Sequence, residues 1–244
     1  MLVALPHSGV TADIRPPGGR EDLMLREAAI TDRELAVELL KRIVAGPADV
    51  PSLTVHEFEV LLLCLHQLVF GDRIIAQATC ECGAEVDTEF SSSAYLEHRR
   101  PHKSARLVRG KRDGWFGIRG TNIQFRLPTI GDQIEAFKTA SPAVALAERC
   151  VDPLSAAGRA SRTMTAVAPV LSGPLEGRCP NCSRTVQLMF DVASFVLREL
   201  TIQAALVYEE VHLLASSYHW SEERILDLPQ ARRWEYAEMV RAGR

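Results

Sequence analysis

The chain has no uninterrupted apolar run approaching the roughly 18–20 residues that a bilayer-spanning helix needs. The longest candidate, residues 60–70, is too short and carries His66 and Gln67, so no membrane partner is expected. Neither sign of charge is in surplus: 28 Lys and Arg face 31 Asp and Glu, a formal net charge of −3. Coating nucleic acid takes an excess of cations that displaces phosphate counterions, so at most a local basic patch is left for that role. Cysteine is scarce, six in 244 residues, and too unevenly placed for a small secreted disulfide scaffold. The opening Met-Leu-Val-Ala-Leu has no basic stretch before it and is followed by Pro6 and His7, which is not the pattern of a cleaved leader. A reducing cytoplasm is the expected compartment. Phosphate-binding glycine loops, metalloprotease His pairs and nucleophile elbows are all missing from the sequence, and the expectation is a protein that is not an enzyme.

What is present is ordinary globular usage, 47% apolar and 24% charged, with length for one large or two small domains. Residues 1–28 hold Pro6, Pro16, Pro17, Gly18 and Gly19 with little periodicity and read as a flexible N-terminal arm. Residues 29–244 read as a single α+β domain. Thr31-Asp-Arg-Glu34 and Thr54-Val-His-Glu57 have capping-box spacing, in which hydroxyl and carboxylate satisfy the free amides of a helix start. The first helix is expected to reach Gly46. The second ends at Gly71-Asp72, with Phe58, Leu61, Leu62, Leu65, Leu68 and Val69 on a broad buried face. β-rich runs at 74–76 and 86–90 flank Cys80-Glu-Cys82-Gly83, a strand, knuckle and strand. Candidates at 107–108, 115–118 and 123–127, with Gly120-Thr-Asn122 as a turn, predict a hairpin on the same sheet. Thr129 predicts a helix through Phe137, Pro142 a short helix, and residues 152–177 a loose stretch. A second knuckle, Cys179-Pro-Asn-Cys182, precedes a strand at 185–190. Asp191 is expected to cap the longest helix of the chain, from about 192 to 218, about 40 Å long, part of which would stand clear as a docking surface. Ser221 and Pro229 open two final short helices.

The cysteine spacing carries the chemistry. An offset of 100 residues places Cys82 on Cys182, Val86 on Val186 and Phe90 on Phe190, so two equivalent halves each deliver two thiols from a hairpin tip and return a strand whose Val and Phe share a side. Four thiolates close a tetrahedral zinc site with bonds of about 2.3 Å, and backbone amides near Gly83 and Ser183 are placed to donate to the sulfurs. With four protein ligands no position is open to substrate, so the zinc would be structural. The expected ligands are Cys80, Cys82, Cys179 and Cys182. The expected fold is a split zinc-ribbon-like β unit, with knuckles at 73–90 and 175–190, an inserted β-hairpin and helical segment, packing by N-terminal helices, and a long C-terminal helix in the region 191–244. The first pair has one intervening residue instead of two, which leaves His98 or His102 as an alternative ligand. Four buried thiols or a redox pair are the alternatives to metal, and a reducing compartment and the wide separation of the pairs favour metal. Cys64 and Cys150 lie in helical patterns and read as small core residues.

Other candidates are weaker. His56 and His66 share a helix face without a partner at ligand spacing and read as ordinary helix histidines. Glu209, Glu210 and His212 read as the solvated side of the long helix. Arg232 and Arg233 with Trp234 and Tyr236 form a basic aromatic helix, interleaved with Glu235 and Glu238, that favours a protein contact.

Cys179-Pro-Asn-Cys182, Phe190-Asp191-Val192, Leu197-Arg198-Glu199-Leu200, Glu210-Val-His-Leu-Leu-Ala215, Tyr218-His219-Trp220, Glu223-Arg-Ile225-Leu-Asp-Leu-Pro229 and Arg232-Arg233, in that order, resemble the T-even-phage-like baseplate hub assembly chaperones of contractile phage tails and related contractile injection systems. Gly71-Asp72-Arg73, the first knuckle and Phe125-Arg126-Leu127-Pro128-Thr129 extend the resemblance to about residues 50–240. Tyr218-His219-Trp220 stands where relatives often carry a Gly between the aromatics. The resemblance implies a non-enzymatic assembly factor whose partners are baseplate hub or other tail proteins, working in the cytoplasm of the bacterial host or producing cell and absent from the mature particle. A permanent baseplate subunit is the alternative, and a zinc-ribbon nucleic-acid-binding regulator a more distant one. The last two helices, with Tyr218, Trp220, Ile225, Leu228 and Trp234 as apolar anchors, are expected to contact a hub component or a second copy.

Overall fold

The computed structural model describes residues 1–102 and 104–243. Mixed helices and small antiparallel sheets make it an α+β protein. The N-terminal residues differ from the expected arm. β1 (Leu2–Ala4), β2 (Thr11–Ile14) and, after two helices, β3 (Val44–Ala45) form a three-stranded antiparallel sheet. Val3, Leu5, Ala12 and Ile14 are all buried in the main core. The strands are short, and their alternation is cut by Pro6 and Gly9, so the pattern is too brief to register as a sheet in the sequence. α1 (Gly19–Glu27) and α2 (Asp32–Ile43) follow, the latter capped by Thr31 and Glu34 as their spacing requires. α2 stops at Ile43 and not near Gly46 because the next two residues pair with β2.

α3 (Val55–Phe70) is the centre of the molecule. Phe58 and Leu61 to Leu65 share one buried core with Leu39 and Leu40 of α2 and with Val196 and Leu200 of α8 (Val192–Gln203), and α8 packs against both α3 and α2. Glu57 does more than close the Thr54 capping box. Its carboxylate also accepts hydrogen bonds from the amides of His7 (2.8 Å) and Ser8 (2.7 Å), tying the β1–β2 loop to the start of α3.

Two hairpins leave this helical layer. β4 (Arg73–Thr79) pairs with β5 (Glu85–Ser91), and β10 (Gly173–Arg178) with β11 (Thr185–Phe190). Between them, after α4 (Ser92–His98), lies an inserted unit with its own small core of Ile118, Ile123, Phe125, Leu127, Cys150, Val151 and Ala160. Its strands β6 (Leu107–Arg109), β7 (Phe116–Ile118), β8 (Gln124–Phe125) and β9 (Val151–Asp152) form a separate four-stranded sheet. The expected hairpin exists, but it does not share a sheet with the first knuckle; its sheet closes against α6 (Pro142–Cys150) and α7 (Ala157–Val167), while α5 (Ile130–Phe137) packs on α6. α7 also replaces part of the loose stretch expected at 152–177: its Ala, Ser and Thr content hides a helix whose buried face is mainly Ala160 and Val167.

The long C-terminal helix is broken. α8 ends at Gln203, a single 3₁₀ turn at Ala204–Leu206 tucks Ala204 into the core beside α1, and α9 (Val207–Tyr218) starts with a shifted phase. α9 does not stand clear, because α10 (Glu222–Leu226) and α11 (Gln230–Ala242) fold back over it. His219 ends α9 in the left-handed region (φ 55°). That backbone is one that Gly adopts more readily than His.

The return of α11 is fixed by charge. Arg233 is 1% exposed and its guanidinium lies between Asp22 of α1 and Glu210 of α9, with Nε 2.6 Å from the Glu210 carboxylate. Gly19 faces Arg233 so closely that a Cβ there would sit 2.4 Å from the guanidinium and 2.8 Å from the Leu226 backbone. Glu210 is therefore not on a solvated face, whereas Glu209 and His212 are. No helix among the described residues is long and apolar enough to cross a membrane.

Replacing Arg233 by Met is expected to cost about 3–5 kcal/mol in urea unfolding, because two buried carboxylates lose their counter-ion. Glu57 predicts a pH effect. Burial pushes its pKa up, but the amides of Ser8 and His7 and the hydroxyls of Thr54 and Ser8 together hold it below the ordinary carboxylate value. Its stabilisation is thus complete above that value and is lost as pH falls through the depressed one. Glu57→Gln should lower stability at neutral pH by about 1–2 kcal/mol and flatten the acid limb of a stability–pH curve.

Candidate metal centre

The two hairpins meet face to face, β4 against β11 and β5 against β10. Phe90 and Phe190 touch edge to face, ring centroids 5.5 Å apart, and Val86 and Val186 are buried beside the cysteines. The correspondence reaches further than the residues that signalled it. Ser91 caps α4 by accepting from the Ala94 amide, and Asp191 caps α8 by accepting from the Ser194 amide, so each knuckle strand leads into a helix through the same hydrogen bond.

The knuckles differ by one residue, and the backbone shows how the shorter one copes. In the first, the Gly83 amide donates to Cys80 O (2.8 Å), closing a four-residue turn; in the second, the Ser183 amide donates to Cys179 O (2.9 Å), closing a five-residue turn. Both turns end in a left-handed residue, Gly83 (φ 83°) and Ser183 (φ 58°). The missing residue is absorbed inside the turn, so both thiols of the first knuckle still face the second.

The four Sγ atoms of Cys80, Cys82, Cys179 and Cys182 all lie within 4.8 Å of one another. Cys80 is 3.6 Å from Cys182, and Cys82 is 3.7 Å from Cys179. Four sulfurs bonded to one ion at about 2.3 Å in a tetrahedron stand about 3.8 Å apart, and disulfide sulfurs about 2.05 Å apart. The spacing therefore fits four thiolates around a metal, and all six cysteines are free. This is the one metal-capable group among the described residues; His98 and His102 are outside it. Cys80 and Cys179 are buried, Cys182 is half-buried and Cys82 is exposed, so the cluster sits at the hairpin tips with one side open. The Cys182 amide, helped by that of Asn181, draws the Cys179 thiol down to about 7. At Cys80 the Cys82 amide pulls the same way, but desolvation and the neighbouring thiols win and push it up to about 12. Four adjacent thiols cannot all ionise without a cation among them. Cys64 and Cys150 are buried away from the cluster, as core positions.

What holds the second hairpin to the first includes three polar side chains, of which only His56 stands out in the sequence, as an ordinary helix histidine. His56 Nδ1 donates to Pro169 O (2.7 Å), the buried Glu59 carboxylate accepts from the Leu171 amide (2.6 Å), and the Tyr95 hydroxyl donates to Leu171 O. All three hold residues 169–171, which lead directly into β10. Burial raises the Glu59 pKa and lowers that of His56. The signal that His56 and Glu59 gave in the sequence was two polar side chains in a strongly hydrophobic helix.

Of the apolar anchors expected at the C-terminus, Tyr218 and Trp220 join Tyr236 in one aromatic cluster, Tyr218 and Trp220 stacked with centroids 5.0 Å apart and Arg224 over Trp220. Trp234 is 50% exposed. Ile225 is corrected: it is fully buried on the inner face of α10 and is unavailable to a partner. Leu228 is half-buried.

A family model described as T4 bacteriophage base plate protein matches residues 2–160 of the chain. The chain belongs to that family. The match runs from β1 through the first knuckle and most of the inserted unit, whereas the motifs that first signalled a baseplate protein lie mainly beyond it, from Cys179 onward. No curated protein and no solved structure matches this baseplate-family chain.

Cys179→Ser or Cys182→Ser is expected to release bound metal and lower the melting temperature. Retention of one metal equivalent by either purified variant would contradict the four-cysteine assignment.

Proposed function

We propose that this chain is a non-enzymatic assembly factor for the baseplate hub of a contractile phage tail or contractile injection system, stabilised by a structural zinc ion and engaging hub or other tail proteins through its C-terminal helices. Membership of the baseplate family supports the setting. The observation that carries the reading is the cysteine cluster: its four donors come from two hairpins 100 residues apart and its sulfur spacing suits a closed tetrahedral site. Cys80, Cys82, Cys179 and Cys182 would hold the zinc, which supplies a cross-link when bound. A closed four-thiolate site stabilises a fold and offers no coordination position to a substrate. The surface offered to a partner is the exposed Tyr218 with the half-buried Trp220 stacked on it, together with the exposed Trp234 of α11, since aromatic side chains flanked by Arg are the residue types that dominate protein interfaces.

Truncation is a poor test of that surface, because residues 219–244 include Arg233 and Ile225, both buried. Trp220→Ala with Trp234→Ala removes surface while leaving the core intact. Quantitative mass spectrometry of assembling and mature particles should find the chain bound to hub intermediates and absent or strongly substoichiometric in mature particles, with the double variant lost from the intermediates. A stoichiometric complement in mature particles would make the chain a permanent baseplate subunit instead.

A further inference from the structure

The near-neutral total hides a segregation of charge. Residues 99–126 carry nine Lys and Arg against one acid, Asp113, while residues 1–98 carry sixteen acids against seven Lys and Arg. The basic segment builds the inserted sheet. There, Arg109, Lys111 and Arg119 line a groove of about 730 Å³ whose floor is Gly117 and Ile118, and an adjoining hollow that shares Asn122 and Ile123 adds Arg159 and Arg162. All five cations are exposed. Among the described residues, no carboxylate lies within 4.0 Å of Lys111, Arg119, Arg159 or Arg162, and Arg109 has only the fully solvated Asp113. Folding thus gathers like charges and leaves them without partners, which costs Coulomb energy unless an anionic surface covers them.

A surface of the opposite kind lies on the same chain. The β4–β5 register puts Glu85 opposite Thr79, Asp87 opposite Gln77 and Glu89 opposite Ile75, and all six side chains are exposed on the outer face of that hairpin. Glu89 is paired with Arg73. Asp87 accepts only from the neutral Gln77 amide, and Glu85 has no cation within 4.0 Å among the described residues. Each charged face also shows one exposed apolar residue, Ile75 on the acidic side and Val108 on the basic side.

We propose that copies of this chain associate head to tail, the acidic outer face of the β4–β5 hairpin of one copy seated on the cationic groove of the next. Both halves of the interface are present on every copy and differ from one another, so the contact is heterologous and generates a ring or an open chain. A net charge of only −3 sets little overall repulsion against it. The inference is independent of the hub-assembly reading, since it uses neither the cysteines nor the C-terminal aromatic surface.

Sedimentation velocity of the full-length chain tests it. The wild type should form oligomers at about 50 mM salt that weaken at least about tenfold at about 500 mM, as screening shortens the reach of surface charges. Lys111→Glu with Arg119→Glu should give monomers, and so should Glu85→Lys with Asp87→Lys. Mixing the two double variants should restore association, because each then meets a face of opposite sign. A wild type that stays monomeric at low salt, or double variants that associate as the wild type does, or a mixture that remains monomeric, would overturn the proposal. So would a monomeric wild type that captures a labelled poly-glutamate peptide through Lys111 and Arg119, which would assign the groove to a different acidic protein.

Discussion

About a hundred residues separate Cys80 from Cys179, and bringing the ends of so long a loop together costs on the order of 4 kcal/mol in chain entropy beyond a fixed closure term. Nothing about the cysteine cluster exists until that loop is closed. The closure does not fall to the thiols alone: Phe90 on Phe190, Val86 beside Val186, and the α3 side chains that grip residues 169–171 already place the second hairpin on the first. A metal ion bound at the tips would act on a geometry that the apolar contacts have already brought near. This division of labour fits a domain with a large core of its own, in which the site adds stability and fixes the register of two hairpins.

The same economy recurs at the other end of the molecule. α11 has a weakly amphipathic surface, and little apolar area holds it. Its position depends on Arg233 reaching Asp22 and Glu210, two elements more than twenty and two hundred residues away in sequence. Breaking such a pair from one side leaves uncompensated charge in the core. α1 and α11 are thereby made to report on one another, and the N-terminal sheet, α1 and the C-terminal helices behave as one layer around α3.

The sequence was most legible where local chemistry decides the outcome. Thr31, Thr54 and Thr129 with their acidic partners mark three helix starts, and the matched Cys, Val and Phe of the two knuckles announce a paired unit whose four sulfurs do converge. It was least legible where tertiary packing decides. The strands in residues 1–28 alternate for only a few positions, α7 has too little apolar side chain to show a stripe, and the break at Ala204 is imposed by α1 crossing the helix there. Ile225 and Arg233 looked like surface anchors because a helix drawn alone has no neighbours; α1 and α9 bury them. His56 looked incidental and Glu59 did not stand out, because their partners, the carbonyl of Pro169 and the amide of Leu171, lie more than a hundred residues away.

Four converging thiols, an aromatic C-terminal surface and segregated charge are the features on which the proposed role and self-association of this baseplate-family protein rest. The central physical claim beneath that picture is that Cys80, Cys82, Cys179 and Cys182 share one ion although the first knuckle is a residue short. X-ray absorption at the zinc edge on the purified full-length chain tests it most directly. Four sulfur scatterers at about 2.3 Å are predicted; a first shell with fewer than four sulfurs, completed by nitrogen or oxygen, would contradict the account.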